Sequence, residues 1–243
     1  MAFLNGLTKG LYPGEVILLV LGIVLFVVLI FAFLYQLLHQ RSVAALLGFF
    51  ILPIVMIGYP SIKSIQYKDG VISVEKTTDQ LLANPADAQS RQALEQQVQQ
   101  IASRPPGSAN DSVTLAKAQF ALGQEEAAAQ NLQKALQAQP DLPEALALKS
   151  KMEVAQHRQH LAAQVEQNPA DQQARTELQN NVEKATQLKW ANPVAITALA
   201  RAQTALGDHA HALETINKAV AIDPRAVPAA KLKESIQLKA APH

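Results

Sequence analysis

Residues 205–224 read ALGDHAHALETINKAVAIDP, and residues 121–140 read ALGQEEAAAQNLQKALQAQP. Each stretch has a glycine at its third position, Gly207 or Gly123, and ends on a proline. Glycine tolerates the left-handed backbone that ends a helix, and proline cannot continue a helical ladder. Alanine and leucine recur between them at helical spacing. Each stretch therefore predicts the end of one helix, a tight turn and a complete second helix.

Both stretches belong to a longer repeat with a period of 84 residues. A shift of 84 places the Asn-Pro-Ala-Asp run at 84–87 on the run at 168–171. Without a gap, it also aligns identical residues elsewhere: Arg91 with Arg175, Leu94 with Leu178, Val98 with Val182, and Lys149 with Lys233. Duplicated helical units stack so that each one buries its apolar face against the next. The sequence thus predicts an array over 77–243, with units at about 77–160 and 161–243.

The paired stretches resemble the tetratricopeptide repeat (TPR), a helix–turn–helix module of about 34 residues. The resemblance covers roughly 110–156 and 193–239. It rests on Leu115, Ala116, Gly123, Ala128, Leu132, Ala135 and Pro140 in the first unit, and on Leu199, Ala200, Gly207, Ala212, Ile216, Ala219 and Pro224 in the second. It implies a right-handed superhelical stack whose concave groove binds peptides.

The remaining helices of the array can be placed from pattern and capping residues. Stretches 86–104 and 170–189 show helical periodicity, and Asp171 is suited to cap the second of them. Pro143–Gln167 reads as one long helix that leads from the first unit into the second. Val227–Leu238 is expected to close the array, which then contains about eight helices.

Residues 1–60 predict a membrane anchor. Val16–Leu38 contains 23 residues without a charge, and a helix of this length reaches about 34 Å, enough to cross a hydrocarbon core of about 30 Å. Val43–Tyr59 is a second apolar run, interrupted by Pro53. We expect two antiparallel spans, at about 16–38 and 43–59, joined by the polar turn His39–Ser42. A single span followed by an interfacial or re-entrant segment is the alternative.

The distribution of basic residues predicts the orientation of this anchor. Lys9 precedes the first span, Lys63, Lys68 and Lys76 follow the second, and Arg41 alone lies in the turn. Basic residues concentrate on the cytoplasmic side of membrane proteins. The array is therefore expected on the cytoplasmic face of a bacterial inner membrane, and a periplasmic array is the alternative.

A short β-hairpin linker is expected over 61–76, between the anchor and the array. Residues 64–74 alternate and are rich in β-branched side chains. Asp69 and Gly70 at their centre form a favoured pair for a two-residue hairpin turn. Apart from this linker the predicted fold class is all-α.

A repeated set of cations marks the candidate binding groove. Lys117 and Arg201 each lie six residues before a turn glycine, and Lys149 and Lys233 each lie nine residues after a helix-ending proline. The resemblance places them on the concave surface, where they would suit an acidic or carboxyl-terminal ligand. Their predicted neighbours are Asn110, Val113, Phe120 and Thr197. The alternative is that solvated lysines recur only because the unit was duplicated.

Other chemistry finds little support in the sequence. There is no cysteine, no glycine-rich phosphate loop and no nucleophile motif, so no enzyme activity, metal or cofactor is expected. His157 and His160 lie three residues apart, but no third ligand stands close on the same helical face. Residues 61–243 are formally neutral, which argues against nucleic acid. Trp190 is interpreted as a packing residue between modules, with a binding platform as the alternative.

Taken together, these features predict a membrane-anchored scaffold or adaptor that holds a protein partner near the bilayer. Two alternatives stay open. One is a periplasmic chaperone or assembly factor, similar to the anchored tetratricopeptide proteins of cytochrome c maturation. The other is a structural subunit of a larger membrane complex.

Overall fold

A computed structural model describes residues 12–39 and 44–240, and within these ranges the chain contains helices and no strand. The predicted all-α array is confirmed. The helices are α1 Pro13–Leu38, α2 Ala44–Phe49, α3 Ile51–Ala83, α4 Ala88–Ala102, α5 Ala109–Leu122, α6 Glu125–Ala138, α7 Pro143–Gln167, α8 Gln172–Thr186, α9 Pro193–Ala205, α10 His209–Ile222 and α11 Val227–Ala240.

Helices α1 and α3 form an antiparallel pair in close contact. A Cβ added at Gly22 of α1 would lie 2.9 Å from the Cβ of Met56 in α3, so only glycine fits at this crossing. Farther along α1, the rings of Phe26 and Phe33 meet Phe50 edge to face, with centroids 5.7 and 6.3 Å apart. The predicted turn His39–Ser42 lies, apart from His39, outside the described residues.

The outward surface of this helical pair is apolar. Pro13–Leu38 and Leu47–Ala83 each have the length and composition that a membrane crossing needs. Exposed large apolar side chains run along both helices: Ile17, Val24, Phe31 and Leu38 on α1, and Ile51, Val55, Ile62 and Ile65 on α3.

The β-hairpin predicted over 61–76 is wrong, because this stretch is the interior of α3. Tyr67, Val74 and Leu81 follow one another at seven-residue intervals and are buried in one cluster with side chains of α4 and α5. A Cβ at Gly70 would lie 3.2 Å from Ile101 in α4, so this glycine allows a close helix approach and not a turn. Packing of one face against two neighbouring helices outweighs the local β-propensity of the stretch.

Helix α3 is also the structural counterpart of α7. Residues separated by 84 are buried in both helices: Ser64 with Leu148, Val74 with Arg158, Thr77 with Leu161, Thr78 with Ala162, and Leu81 with Val165. The structural equivalence therefore extends back into α3, on the amino-terminal side of residue 77. Each unit consists of one long helix followed by three shorter ones.

The turns and caps of the array follow the sequence closely. Gly123 and Gly207 have φ angles of 87° and 86°, the left-handed conformation expected of them. The Asp171 carboxylate accepts a hydrogen bond from the Ala174 backbone N–H at 3.0 Å and caps α8 as predicted. Helix α7 has the predicted bounds Pro143–Gln167. The eight helices expected after residue 84 correspond to α4 to α11 within the described ranges, and α3 precedes them as the long helix of the first unit.

The start of α1 docks onto the array at the end of α4. Arg104 and Glu15 form an ion pair of 3.3 Å with both side chains mostly buried. The Tyr12 hydroxyl donates to the carbonyl of Ser103, and the Arg104 guanidinium lies 5.4 Å from the centre of the Tyr12 ring. The amino-terminal end of α1 and the array therefore lie at the same end of the helical pair.

Candidate functional site

Two grooves open at related positions of the array. The first groove lies between α5 and α7 beside Trp190 and encloses about 350 Å³; it is lined by Leu82, Lys117, Phe120, Ala121, Glu144, Ala147, Leu148, Lys151, Leu188, Trp190, Ala191 and Asn192. The second groove lies between α9 and α11 and encloses about 370 Å³; it is lined by Gln159, Pro193, Val194, Thr197, Ala198, Arg201, Asp223, Ala226, Pro228, Ala229 and Leu232. Both have mostly apolar walls.

Two of the four predicted cations line these grooves, one in each. Lys117 Nζ lies 3.3 Å from a carboxylate oxygen of Glu144 across the first groove. Arg201 donates two hydrogen bonds to the carboxylate of Glu166, and these bonds raise the pKa of Arg201. Exposed ion pairs of this kind contribute little to stability, so an incoming carboxylate can compete with the resident one.

The other two predicted cations lie elsewhere. Lys149 borders a separate hollow between α6 and α7 and pairs with Glu153 at 3.8 Å. Lys233 is half-buried on α11, apart from the residues that line the first and second grooves. The structure therefore does not bring the four cations into one row.

The predicted neighbours of the cations separate in the same way. Val113 and Phe120 are buried in the core that α5 to α11 share, although Phe120 also forms part of the wall of the first groove. Thr197 lines the second groove, where its hydroxyl donates to the Pro193 carbonyl at 2.8 Å. Asn110 is exposed on the first turn of α5.

Trp190 fills the core and lines the first groove at the same time. Its indole N–H donates to the Ala185 carbonyl at 2.7 Å, and its ring meets Phe120 edge to face at 6.2 Å. Two cations lie against the ring: the Lys151 ammonium at 4.9 Å and the Arg158 guanidinium at 5.0 Å from its centre. Trp190 can therefore pack between modules and contact a ligand in the first groove from the same position.

The model of the tetratricopeptide repeat family matches this chain twice, at 113–142 and at 194–225. The chain contains two tetratricopeptide repeats. The first TPR comprises α5 and α6, and the second comprises α9 and α10. No curated protein and no solved structure matches the chain.

Each groove is therefore bounded by the first helix of a TPR and by the helix that follows the same TPR. In the first groove this following helix is α7, which carries Lys151 and Arg158. Burial lowers the pKa of Lys151, whose ammonium donates to the Lys189 carbonyl. Burial also lowers the pKa of Arg158 to about 10.

Arg158 is the least expected side chain near either TPR. It is fully buried, and none of its three guanidinium nitrogens has a hydrogen-bond partner among the described residues. Neither Arg158 nor Lys151 is among the binding residues predicted from the sequence. The available signal was the comparison of the two units, because Arg158 stands where the first unit has Val74.

The histidines flanking Arg158 do not assemble a metal site in the part of the chain that the structure describes. His157 borders a polar hollow between α7 and α8 together with Glu153, Glu177 and Asn181. No group of three or more histidine or acidic side chains in that part of the chain is placed to hold a metal ion.

Proposed function

We propose that this protein is a membrane-anchored scaffold whose TPR array binds a protein partner close to the bilayer. The observation that carries the proposal is the pair of related, mostly apolar grooves, each bounded by a TPR and each lined by one of the cations predicted from the sequence, Lys117 or Arg201. TPRs are protein-interaction modules. A groove of this size and polarity accommodates a short peptide segment with a few apolar side chains.

Support for the anchor comes from α1 and α3. Both carry long rows of exposed apolar side chains, which in water would favour aggregation and in a bilayer face lipid. The junction of Glu15 with Arg104 keeps the amino-terminal end of α1 beside the array. This arrangement suits two spans that enter and leave on one side of the membrane.

The cytoplasmic face of a bacterial inner membrane is the side that we propose for the array. The basic residues Lys63, Lys68 and Lys76 belong to α3 beyond its most apolar part, and basic residues near spans favour the cytoplasm. Tethering raises the effective concentration of the array for any partner at the membrane, so that modest intrinsic affinity is sufficient.

The partner that fits the grooves is acidic. A partner carboxylate would replace Glu144 at Lys117 or Glu166 at Arg201, exchanging an internal ion pair for an intermolecular one. Such an exchange leaves no charge unpaired at Lys117 or Arg201. It also makes recognition sensitive to salt, because exposed charges are screened.

Charge reversal of both groove cations tests the proposal. A photocrosslinking side chain at Val194, which lines the second groove and is exposed, would capture partners in cells from the full chain. The double variant Lys117→Glu with Arg201→Glu is expected to reduce recovery about tenfold. The control is Lys134→Glu with Lys231→Glu, two exposed lysines outside the grooves, which should leave recovery unchanged. Equal recovery from both double variants would contradict the proposal.

Topology is tested separately with reporters fused after His243. A reporter active only in the cytoplasm is expected to give the signal, and one active only in the periplasm is expected to be silent. The opposite result would place the array in the periplasm and favour the chaperone or assembly-factor alternative. Crosslinking from Val194 in the second groove would then be used to test whether the array binds unfolded client proteins.

A further inference from the structure

Arg158 places a charge where the fold does not require one. A buried ion without a partner destabilises the folded state, because the protein interior solvates charge poorly. At the equivalent position of the first unit, Val74 is buried against apolar neighbours, so the fold accepts an uncharged side chain there. The guanidinium in the second unit contacts the Trp190 ring but has no hydrogen-bond partner among the described residues, so nothing there neutralises its charge.

A second uncompensated cation lies close to Arg158. Lys151 is seven residues earlier on α7, two turns away on the same helical face. Because each cation lies about 5 Å from the centre of the Trp190 ring, their charged groups are at most about 10 Å apart. Within the described residues Lys151 bonds to a backbone carbonyl and to no carboxylate.

These two charges give the first groove an excess of positive charge. Its single acidic side chain, Glu144, is already engaged by Lys117. Lys151 stands on the groove wall next to Leu148, Leu188 and Trp190, in surroundings where apolar side chains exclude much of the water. Electrostatic attraction is stronger in such surroundings than in bulk solvent.

The second groove lacks this feature. Its residue equivalent to Lys151 is Ser235, and its cation Arg201 is fully engaged by Glu166. The two grooves therefore share a position in the repeat but differ in charge, and the first one alone has a cation available to a ligand among the residues that line it.

We propose that the first groove is a site for an acidic segment of a partner protein, with one ligand carboxylate on Lys151 above Trp190 and an adjacent apolar side chain against Leu148 and Leu188. This inference rests on the proposed function and narrows it to one groove and one ligand chemistry. Arg158 acts as a positioning residue, because it is fully buried against Trp190 and its charge favours an anion at Lys151 without touching that anion. A ligand carboxylate then supplies a negative charge close to Lys151 and Arg158, which have no carboxylate partner among the described residues.

The test is a selection of short random peptides on phage against the full chain in nanodiscs, followed by sequencing. The variants are Lys151→Gln and Arg158→Met, and the control is Lys149→Gln, two residues away on another side of α7. The wild-type chain and the control are expected to enrich peptides in which Asp or Glu adjoins a large apolar residue. The enrichment of acidic residues should be lost with Lys151→Gln and reduced with Arg158→Met.

Affinity for one selected acidic peptide is then read from the fluorescence of Trp190, the single tryptophan of the chain. Lys151→Gln is expected to weaken binding about tenfold and to flatten its salt dependence. Arg158→Met should weaken it severalfold while leaving the affinity for the same peptide with Gln in place of Glu unchanged. A purely structural role of Arg158 would change both affinities equally, and that result would remove it from the proposal.

Two outcomes separate this inference from the function on which it rests. If peptides are selected but show no acidic enrichment, or keep it with Lys151→Gln, the acidic site is wrong and a protein-binding array stands. If the wild-type chain selects no peptide and crosslinking from the groove recovers no protein, the proposed function falls together with the inference.

Discussion

Arg158 and Val74 occupy equivalent positions of the two repeat units, and both are buried, with 0% and 1% of their surfaces exposed. One position in the fold thus holds an apolar side chain in α3 and a guanidinium in α7. The duplication supplies an internal comparison for the energetic effect of the charge, because the buried residues of α3 and α7 correspond along most of their common length.

Removal of the Arg158 charge is expected to stabilise the fold. Arg158→Met keeps most of the side-chain length and removes a buried charge that has no hydrogen-bond partner among the described residues, so we expect a gain of about 1–4 kcal/mol, the range found when buried ion pairs are replaced by apolar residues. Loss of the contact with Trp190 offsets about 1 kcal/mol of this gain. Urea unfolding in detergent, followed by Trp190 fluorescence, measures the change; a lower unfolding free energy would show that the guanidinium stabilises the core.

The stability difference between Arg158→Met and the wild-type chain is expected to depend on pH. Burial lowers the pKa of Arg158 from its ordinary value to about 10 in the folded chain, so the unfolded chain binds the proton more tightly. Below about pH 9 the buried charge therefore lowers the unfolding free energy of the wild-type chain by its full amount. As pH rises through 10, the folded chain loses this proton and the unfolding free energy increases. The advantage of Arg158→Met should be constant from about pH 7 to 9 and should shrink toward pH 11. An advantage that grows over that interval would contradict the assignment.

The contact between α1 and α3 can be tested with two glycines. Gly22→Ala would place a methyl group 2.9 Å from Met56, and overpacking of this kind costs about 1–3 kcal/mol. Gly58→Ala is the matched control, because no atom lies within 4 Å of its added Cβ and alanine favours the helix. Thermal unfolding in one detergent should show a lower midpoint for Gly22→Ala and an unchanged or higher one for Gly58→Ala. Equal midpoints would mean that the helices are farther apart than described.

Asn192 connects the two TPRs, and its loss should weaken both. Its side-chain oxygen accepts hydrogen bonds from Val194 and Ala195 at the start of α9, and its amide donates to Glu125 at the start of α6 at 3.2 Å. Asn192→Ala should cost about 2 kcal/mol, more than a simple helix cap. Asp171→Ala, which removes the cap of α8 alone, should cost about 1 kcal/mol. Urea unfolding of the two variants side by side distinguishes the costs, and the reverse order would contradict the bridging role.

Local signals explain what the sequence predicted well. Gly123 and Gly207 end helices through their own backbone conformation, which depends little on distant residues. The bounds of α7 follow in the same way from a proline at its start and the Asn-Pro-Ala-Asp run after its end. The family resemblance rested on this local chemistry, and both matched segments contain it.

Features that depend on contacts between distant residues could not be predicted from the sequence. Alternation in residues 64–74 suits a strand, whereas the burial of Tyr67, Val74 and Leu81 against α4 and α5 favours the helix. Lys149 and Lys151 differ by two positions, which is about 200° around a helix, so the packing of α7 decides which one faces the first groove. The 84-residue repeat favoured Lys149 as a binding residue because it aligns with Lys233, whereas the first groove is lined by Lys151.

Helix α3 belongs both to the apolar pair and to the first repeat unit, with no loop in between. In a chain anchored as we propose, the array cannot swivel freely above the lipid. Each residue inserted between Ile57 and Gly70 would turn the array by about 100° and raise it by about 1.5 Å, while the junction of Glu15 with Arg104 would resist the turn. The direction in which the first groove faces above the membrane is therefore set by the number of residues in one helix, and it can change only in discrete steps.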